Sequence, residues 1–259
     1  MALIITSCDK SDTSNNAARL RVKLTDAASV VIKELHIDID AVEVFVTDSA
    51  NTDGEWMSLD YSGGEYNLLA LMNGKTVQLV DQYFPADKSV EKIRLTLGDN
   101  NRVLSITNTT PIPLQKSPEI VNGLVIDNVE VELASNIITS IIIDINAALS
   151  IRESNGNWFL QPSARAFAET YGAQLKGYVS PREASSLVAI VQETDTFMTI
   201  PESDGMFLFF GLNEGPWEIH LVAIPGTIYG DTVFTDTLSV GQKKELTPKP
   251  IRLPFSSPQ

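Results

Sequence analysis

The stretch "LHIDIDAVEVFV" (residues 35–46) alternates apolar and polar residues twice, and the two alternations are out of phase. Leu35, Ile37 and Ile39 hold odd positions, while Val42, Val44 and Val46 hold even ones. Successive side chains of a strand point to opposite faces, so an unbroken strand would bury the first set and expose the second. One extra residue near Asp40–Ala41 returns both sets to the same face. The pattern therefore predicts a long strand with a bulge or bend there.

The same period continues on both sides. "RLRVKL" (19–24) places Leu20, Val22 and Leu24 opposite Arg19, Arg21 and Lys23, a half-buried strand. "EKIRLTL" (91–97), then "GDNN" (98–101), then "RVLSI" (102–106) reads as a hairpin. "NVEVEL" (128–133) and "SIIIDIN" (140–146) follow as strands, the second apolar enough to be central. Only "YNLLALMNG" (66–74), stopping at Asn73–Gly74, and "DAASVVIKEL" (26–35) read as short helices. A boundary falls at residues 168–173. Beyond it, "AQLKGYV", "SLVAIV", "FMTI", "MFLFFGL", "WEIHLVA", "TVFTDTLSV" and "KKELT" are short strands separated by turn residues, as in a sandwich. The expected fold is all-β: one β domain over 18–168, a second sandwich over 173–247, and a C-terminal tail over 248–259.

The chain has 259 residues, 43% hydrophobic and 20% charged, which is the balance of a folded protein. Its net charge of −14 is repelled by phosphate backbones, so nucleic acid is an unfavourable partner. No apolar run reaches the roughly 18 residues of a membrane-spanning helix. The one cysteine, Cys8, closes the run "LIITSC" and precedes the polar "DKSDTSNN". The branched Ile5 and the small Thr6 and Ser7 before Cys8 resemble the lipobox of bacterial lipoproteins, whose cysteine is diacylated. On that resemblance residues 1–8 are the remnant of a signal, Cys8 is the membrane anchor and 9–17 is a flexible tether. A signal needs a longer apolar core and a basic start, so translation is expected to begin upstream of Met1.

The stretches "ARLRVKLTDA", "IDIDAVEVFV", "WMSLD", "YNLLALMNG", "IRLTLGDNN", "IDINAALSI" and "WFLQPSAR" occur in this order over the first 165 residues. Together they resemble a bacterial lipoprotein domain known only as domain of unknown function 4382, common in Bacteroidota. The pattern departs at "YFPADKSV", where Asp87 replaces a glycine and a wider turn is expected. In the second segment "LKGYVSP" and Asp204, Gly205, Phe207, Leu212, Gly215 and Trp217 are similar to the carboxypeptidase regulatory-like domain, a transthyretin-like sandwich. Tryptophan stands at 217 where that family usually has tyrosine. Such modules are typically non-catalytic spacers, so the resemblance implies an architecture and no reaction. The tether "CDKSD" resembles the surface-export signals of Bacteroidota lipoproteins, which implies an outer-membrane protein facing outward; a periplasm-facing anchor is the alternative.

Catalytic patterns are scarce. His36 and His220 each alternate outward with acidic residues on a strand, the pattern of a solvated face. No Gly-x-Ser-x-Gly elbow is present. Ser89 and Lys92 have a Ser-x-x-Lys spacing without its companion motifs. "GKT" (74–76) has Leu69 where a phosphate-cradling loop needs glycine. No enzyme activity and no cofactor are expected. Calcium is the one ion with supporting residues, the oxygen-rich "IDID", "GDNN" and "ESDG", although Asp and Asn also serve turns without an ion. Trp56, Tyr61, Tyr66 and Trp158 are the aromatic candidates for stacking on sugar rings, against a core role for strand-start tryptophans. "DSA", "DTV" and "DTL" mark Ser49, Thr232 and Thr237 as candidate O-glycosylation positions. The expected function is a non-catalytic surface binding module for a glycan or a cell-envelope protein. The alternative is a structural or adhesive, fimbria-like subunit assembling through sheet edges.

Overall fold

The computed structural model describes residues 17–27, 31–48, 50 and 52–256. Cys8, residues 9–16 of the tether and Ser49 lie outside the described residues, and Ala17 already belongs to the first strand. The protein is all-β. The first module contains β1 (Ala17–Ala27), β2 (Ile32–Thr47), β3 (Glu55–Ser58), β4 (Gly64–Asn67), β5 (Val77–Pro85), β6 (Lys88–Leu97), β7 (Arg102–Ser105) and β8 (Ile112–Pro113). It continues with β9 (Gln115–Lys116), β10 (Leu124–Ile126), β11 (Val131–Leu133), β12 (Ile138–Asn146), β13 (Ile151–Ser154), β14 (Asn157–Leu160) and β15 (Ser163–Ala168). One sheet has the order β15-β12-β1-β5. A larger one has the order β10-β6-β2-β7-β8, with β11 also on β6 and with β3 and β4 on β2. A small third sheet joins β13, β14 and β9.

β2 resolves the phase problem of its sequence. Ile37, Ile39, Val42, Val44 and Val46 are all fully buried, and the register against β6 steps between Ile39 and Ala41. Asp40 is the extra residue of the bulge. Leu20, Val22 and Leu24 of β1 pack into the same core from the other sheet. β12 is central, parallel to β1 and antiparallel to β15.

The hairpin expected at residues 98–101 does not form. β6 and β7 both pair with β2, in line, with Leu97 opposite Ile39 and Arg102 opposite His36. Gly98–Asn101 loops out between them. The buried Asn101 amide fills the gap: its Oδ1 accepts the Asp38 N–H at 2.9 Å and its Nδ2 donates to the Gly98 carbonyl at 2.7 Å. Neither expected helix forms either. Tyr66 and Asn67 end β4, and Leu68–Leu71 make a single 3-10 turn that buries Leu68 and Leu69. In "DAASVVIKEL" the described residues belong mostly to the end of β1 and the start of β2, where β-branched Ile32 suits a strand. The turn at "PADK" is tight, because Asp87 takes the left-handed conformation (φ 60°) a glycine would take.

The second module contains β16 (Ala173–Ser180), β17 (Ser185–Gln192), β18 (Asp195–Thr199), β19 (Met206–Leu212), β20 (Gly215–Ala223), β21 (Thr232–Leu238), β22 (Lys243–Glu245) and β23 (Ile251–Arg252). Its sheets are β19-β16-β22, with β23 also on β16, and β18-β17-β20-β21. They enclose a separate core in which Phe207, Leu212 and Trp217 are fully buried. Gly205 makes the preceding turn at φ 85°, and a Cβ there would strike the Val179 carbonyl oxygen. Gly205→Ala is expected to destabilise the protein by about 2–3 kcal/mol, from left-handed strain plus a displaced strand backbone. Urea unfolding checks this, and an unchanged midpoint would refute it.

Candidate functional site: a cleft along a free sheet edge

Two polar clamps join the modules. The first is the Asn73–Gly74 turn, with φ values of 57° and 78°. Asn73 is buried, and its Oδ1 accepts from the Thr199 hydroxyl at 2.9 Å and the Leu208 N–H at 3.3 Å. Its Nδ2 donates to the Ile200 carbonyl at 2.8 Å and to Glu202 at 3.3 Å. Thr25 of β1 holds the base of the turn, its hydroxyl 3.0 Å and 2.9 Å from the carbonyl oxygens of Leu71 and Lys75. The second clamp is Arg165 on β15. Its Nε donates to Asp144 at 3.0 Å, and its other nitrogens donate to the carbonyls of Gly211 at 2.7 Å and Phe210 at 3.2 Å. The guanidinium also lies over the Phe197 ring, 4.0 Å from its centre. Burial pushes the Asp144 carboxyl above the usual range, and Arg165 opposes that shift without cancelling it.

Beside the second clamp lies a cleft of about 550 Å³. Its floor is β15. One wall is Asn128–Val131, between β10 and β11; the other is Thr194–Phe197, leading into β18, with Asn213 beyond. β15 ends its sheet, so one side of it has no strand partner. Which groups face that side follows from the register. The Glu169 N–H donates to the Ser140 carbonyl at 2.8 Å, and the Ser163 N–H donates to Ser150 Oγ, which itself donates to the Asn146 carbonyl. Residues 163, 165, 167 and 169 therefore turn their backbone groups toward β12. Ala164 and Ala166 turn theirs into the cleft. Their N–H and C=O groups recur every second residue, the pattern that an added strand pairs with.

The aromatic candidates lie elsewhere, and all four are half-buried. Trp56 packs edge-on to Phe45, and the Arg94 guanidinium sits over its ring at 4.3 Å. Tyr61 and Tyr66 do come together, their hydroxyls 3.0 Å apart against the core. Burial and that hydrogen bond push the Tyr61 hydroxyl up. Trp158 belongs to a different sheet, so the four form no exposed row. "IDID" and "GDNN" are neighbours, with Asp38 Oδ2 accepting the Asn100 N–H at 3.1 Å; "ESDG" is on the second module. Among the described residues no group of three or more His, Cys, Asp or Glu side chains is placed to hold a metal. His36 lies between Glu34 and Glu65, at 3.1 Å and 2.8 Å, and donors on Arg102 and then His36 hold the Glu65 carboxyl at about 2. His220 pairs with Glu218 at 2.6 Å. Thr237 is exposed on β21, whereas the Thr232 hydroxyl is buried and unpaired among the described residues. The residues that make the cleft were not singled out by sequence. Ala164 and Ala166 act through backbone alone, and Glu130, Arg165 and Asp195 belong to no catalytic or binding motif.

Solved structures resemble the chain only distantly. A mutant of the shaft pilin SpaA from Lactobacillus rhamnosus GG is 9% identical with a TM-score of 0.26, covering 95% of this chain and 100% of that one. The Bacillus anthracis TIE protein is 10% identical, also with a TM-score of 0.26, over 94% of this chain and 42% of its own. No curated protein matches. No helix among the described residues is long and apolar enough to cross a membrane. The family model described as Domain of unknown function (DUF4382) matches residues 17–162, more than half of the chain, and the chain belongs to that family.

Proposed function

We propose that this chain is a non-catalytic, lipid-anchored protein of the bacterial cell envelope that binds an envelope polypeptide as an added strand along β15. Cys8 carries the acyl anchor, residues 9–16 form the tether, and the transthyretin-like second module supports one wall of the cleft. The outward face of the outer membrane is the proposed location. The observation that carries the binding reading is the unpaired edge of β15, whose Ala164 and Ala166 backbone groups face an open cleft of about 550 Å³. Added strands draw affinity from such backbone groups and specificity from the pockets on either side. A glycan is a poorer fit, because Trp56, Tyr61, Tyr66 and Trp158 are half-buried and offer no exposed stacking row.

The test is photo-crosslinking in intact cells, with benzoylphenylalanine at Leu149 on the cleft or at Tyr83 on the far edge strand β5. Both side chains are well exposed, at 64% and 75%. Crosslinks to an envelope polypeptide are expected from Leu149 and not from Tyr83. They are also expected to disappear in Ala164→Pro. That substitution removes one outward N–H on an edge strand, where proline is tolerated. Crosslinks between copies of this chain would move the reading to the fimbria-like alternative. Equal labelling from both positions would overturn the cleft. Mass spectrometry of the mature N-terminus checks the anchor, which an unacylated Cys8 would refute.

A further inference from the structure

Resting on the strand-addition reading, we infer that the occupant of the β15 cleft is a cationic segment, with two basic residues an odd number of positions apart. The charge lining the cleft is one-sided. Glu130 and Asp195 are exposed on its two walls, and Asp144 lies at its floor. The one cation among the lining residues is Arg165, and its guanidinium is already committed to Asp144 and to the carbonyls of Phe210 and Gly211. A chain of net charge −14 adds no compensating field. An occupant without positive charge would bring its backbone between two unneutralised carboxylates.

The spacing follows from the sheet. β15 presents Ala164 and Ala166 toward the first core and Arg165 and Phe167 toward the second module. A strand added beside it continues that sheet, with one face toward Asn128–Val131 and the other toward Thr194–Phe197. Successive side chains alternate between those faces. A residue that meets Glu130 and one that meets Asp195 therefore differ by an odd number of positions. Basic residues at i and i+3 satisfy both walls; those at i and i+2 satisfy one wall twice.

Three synthetic peptides with blocked ends separate the possibilities: TKVTKVT, the isomeric TKVKTVT, and TEVTEVT. Binding to the full chain carrying Cys8→Ser is followed by calorimetry and by hydrogen exchange at Ala164 and Ala166. TKVTKVT is expected to bind best and to slow exchange at both amides, with affinity falling as salt rises. Glu130→Gln with Asp195→Asn is expected to weaken it about five- to tenfold while leaving the pattern of protection in place. Ala164→Pro is expected to abolish it. Equal binding of the two lysine isomers overturns the spacing. Equal or tighter binding of TEVTEVT overturns the charge assignment, while strand addition survives if Ala164→Pro still abolishes protection. Binding by none of the three overturns strand addition and this inference together.

Discussion

Asn73→Ala is expected to destabilise the protein by about 3 kcal/mol and to loosen one module from the other. Asn73 is buried and makes four hydrogen bonds to the second module, to Thr199, Ile200, Glu202 and Leu208. Alanine leaves the Ile200 carbonyl and the Leu208 N–H at the junction without that partner, and each buried unsatisfied group costs about 1–3 kcal/mol. Alanine also lacks the short polar side chain that makes the left-handed φ of 57° tolerable to asparagine, which costs about 1 kcal/mol more. Asn73→Gly separates the two contributions, since glycine accepts the backbone and loses the same hydrogen bonds. Urea unfolding followed by tryptophan emission is the measurement. A single cooperative transition in the parent should split or broaden in Asn73→Ala, because Trp217 reports the second core while Trp56 and Trp158 report the first. A variant that unfolds like the parent would show that the turn is not what couples the modules.

The same residue shows how far the sequence could be read. Asn73–Gly74 marks a stop in any local reading, and left-handed conformations at both positions agree with it. That the stop is a peg in a second module depends on residues more than 120 positions away, and no local pattern records that. "LHIDIDAVEVFV" is the opposite case. Its phase slip is a local property with one physical solution, so the bulge at Asp40 and the burial on both sides of it were legible. "GDNN" lies between. Gly, Asp and Asn favour any sharp excursion of the chain equally, whether it reverses direction or loops out between collinear strands. The choice was made by Asn101 reaching back to Asp38. The cleft was least legible, because its binding groups are backbone atoms of two alanines on an edge set by sheet order. Sheet order follows from long-range pairing, such as the parallel register of β1 with β12.

Arg165→Met is expected to cost about 3 kcal/mol at pH 7 and much less in acid, and the pH dependence is the more informative part. Removing one partner of a largely buried ion pair leaves the other charge uncompensated, typically at 3–5 kcal/mol. The Asp144 side chain is only 12% exposed, while Arg165 at 32% retains some solvent, which puts the expectation at the low end. Burial already raises the Asp144 pKa with Arg165 in place, and removing the guanidinium raises it further. The sign then follows by linkage. A carboxyl whose folded pKa lies above its unfolded one stabilises the fold when protonated, and that contribution is lost as pH rises through the folded pKa. The deficit of Arg165→Met is therefore largest at neutral pH and shrinks as pH falls toward the ordinary aspartate range near about 4. Carboxylates with lowered pKa values, such as Glu43 and Glu65, lose their stabilisation only as pH falls below the ordinary glutamate range. They do so in parent and variant alike, so the difference between the two curves cancels them. In an Asp144→Asn background the cost of Arg165→Met is expected to be the same at every pH, since an amide at 144 has no proton to gain. A deficit that stays constant from pH 7 to pH 4 would show instead that Arg165 holds the junction through its carbonyl hydrogen bonds and its stacking on Phe197, with the Asp144 pair contributing little.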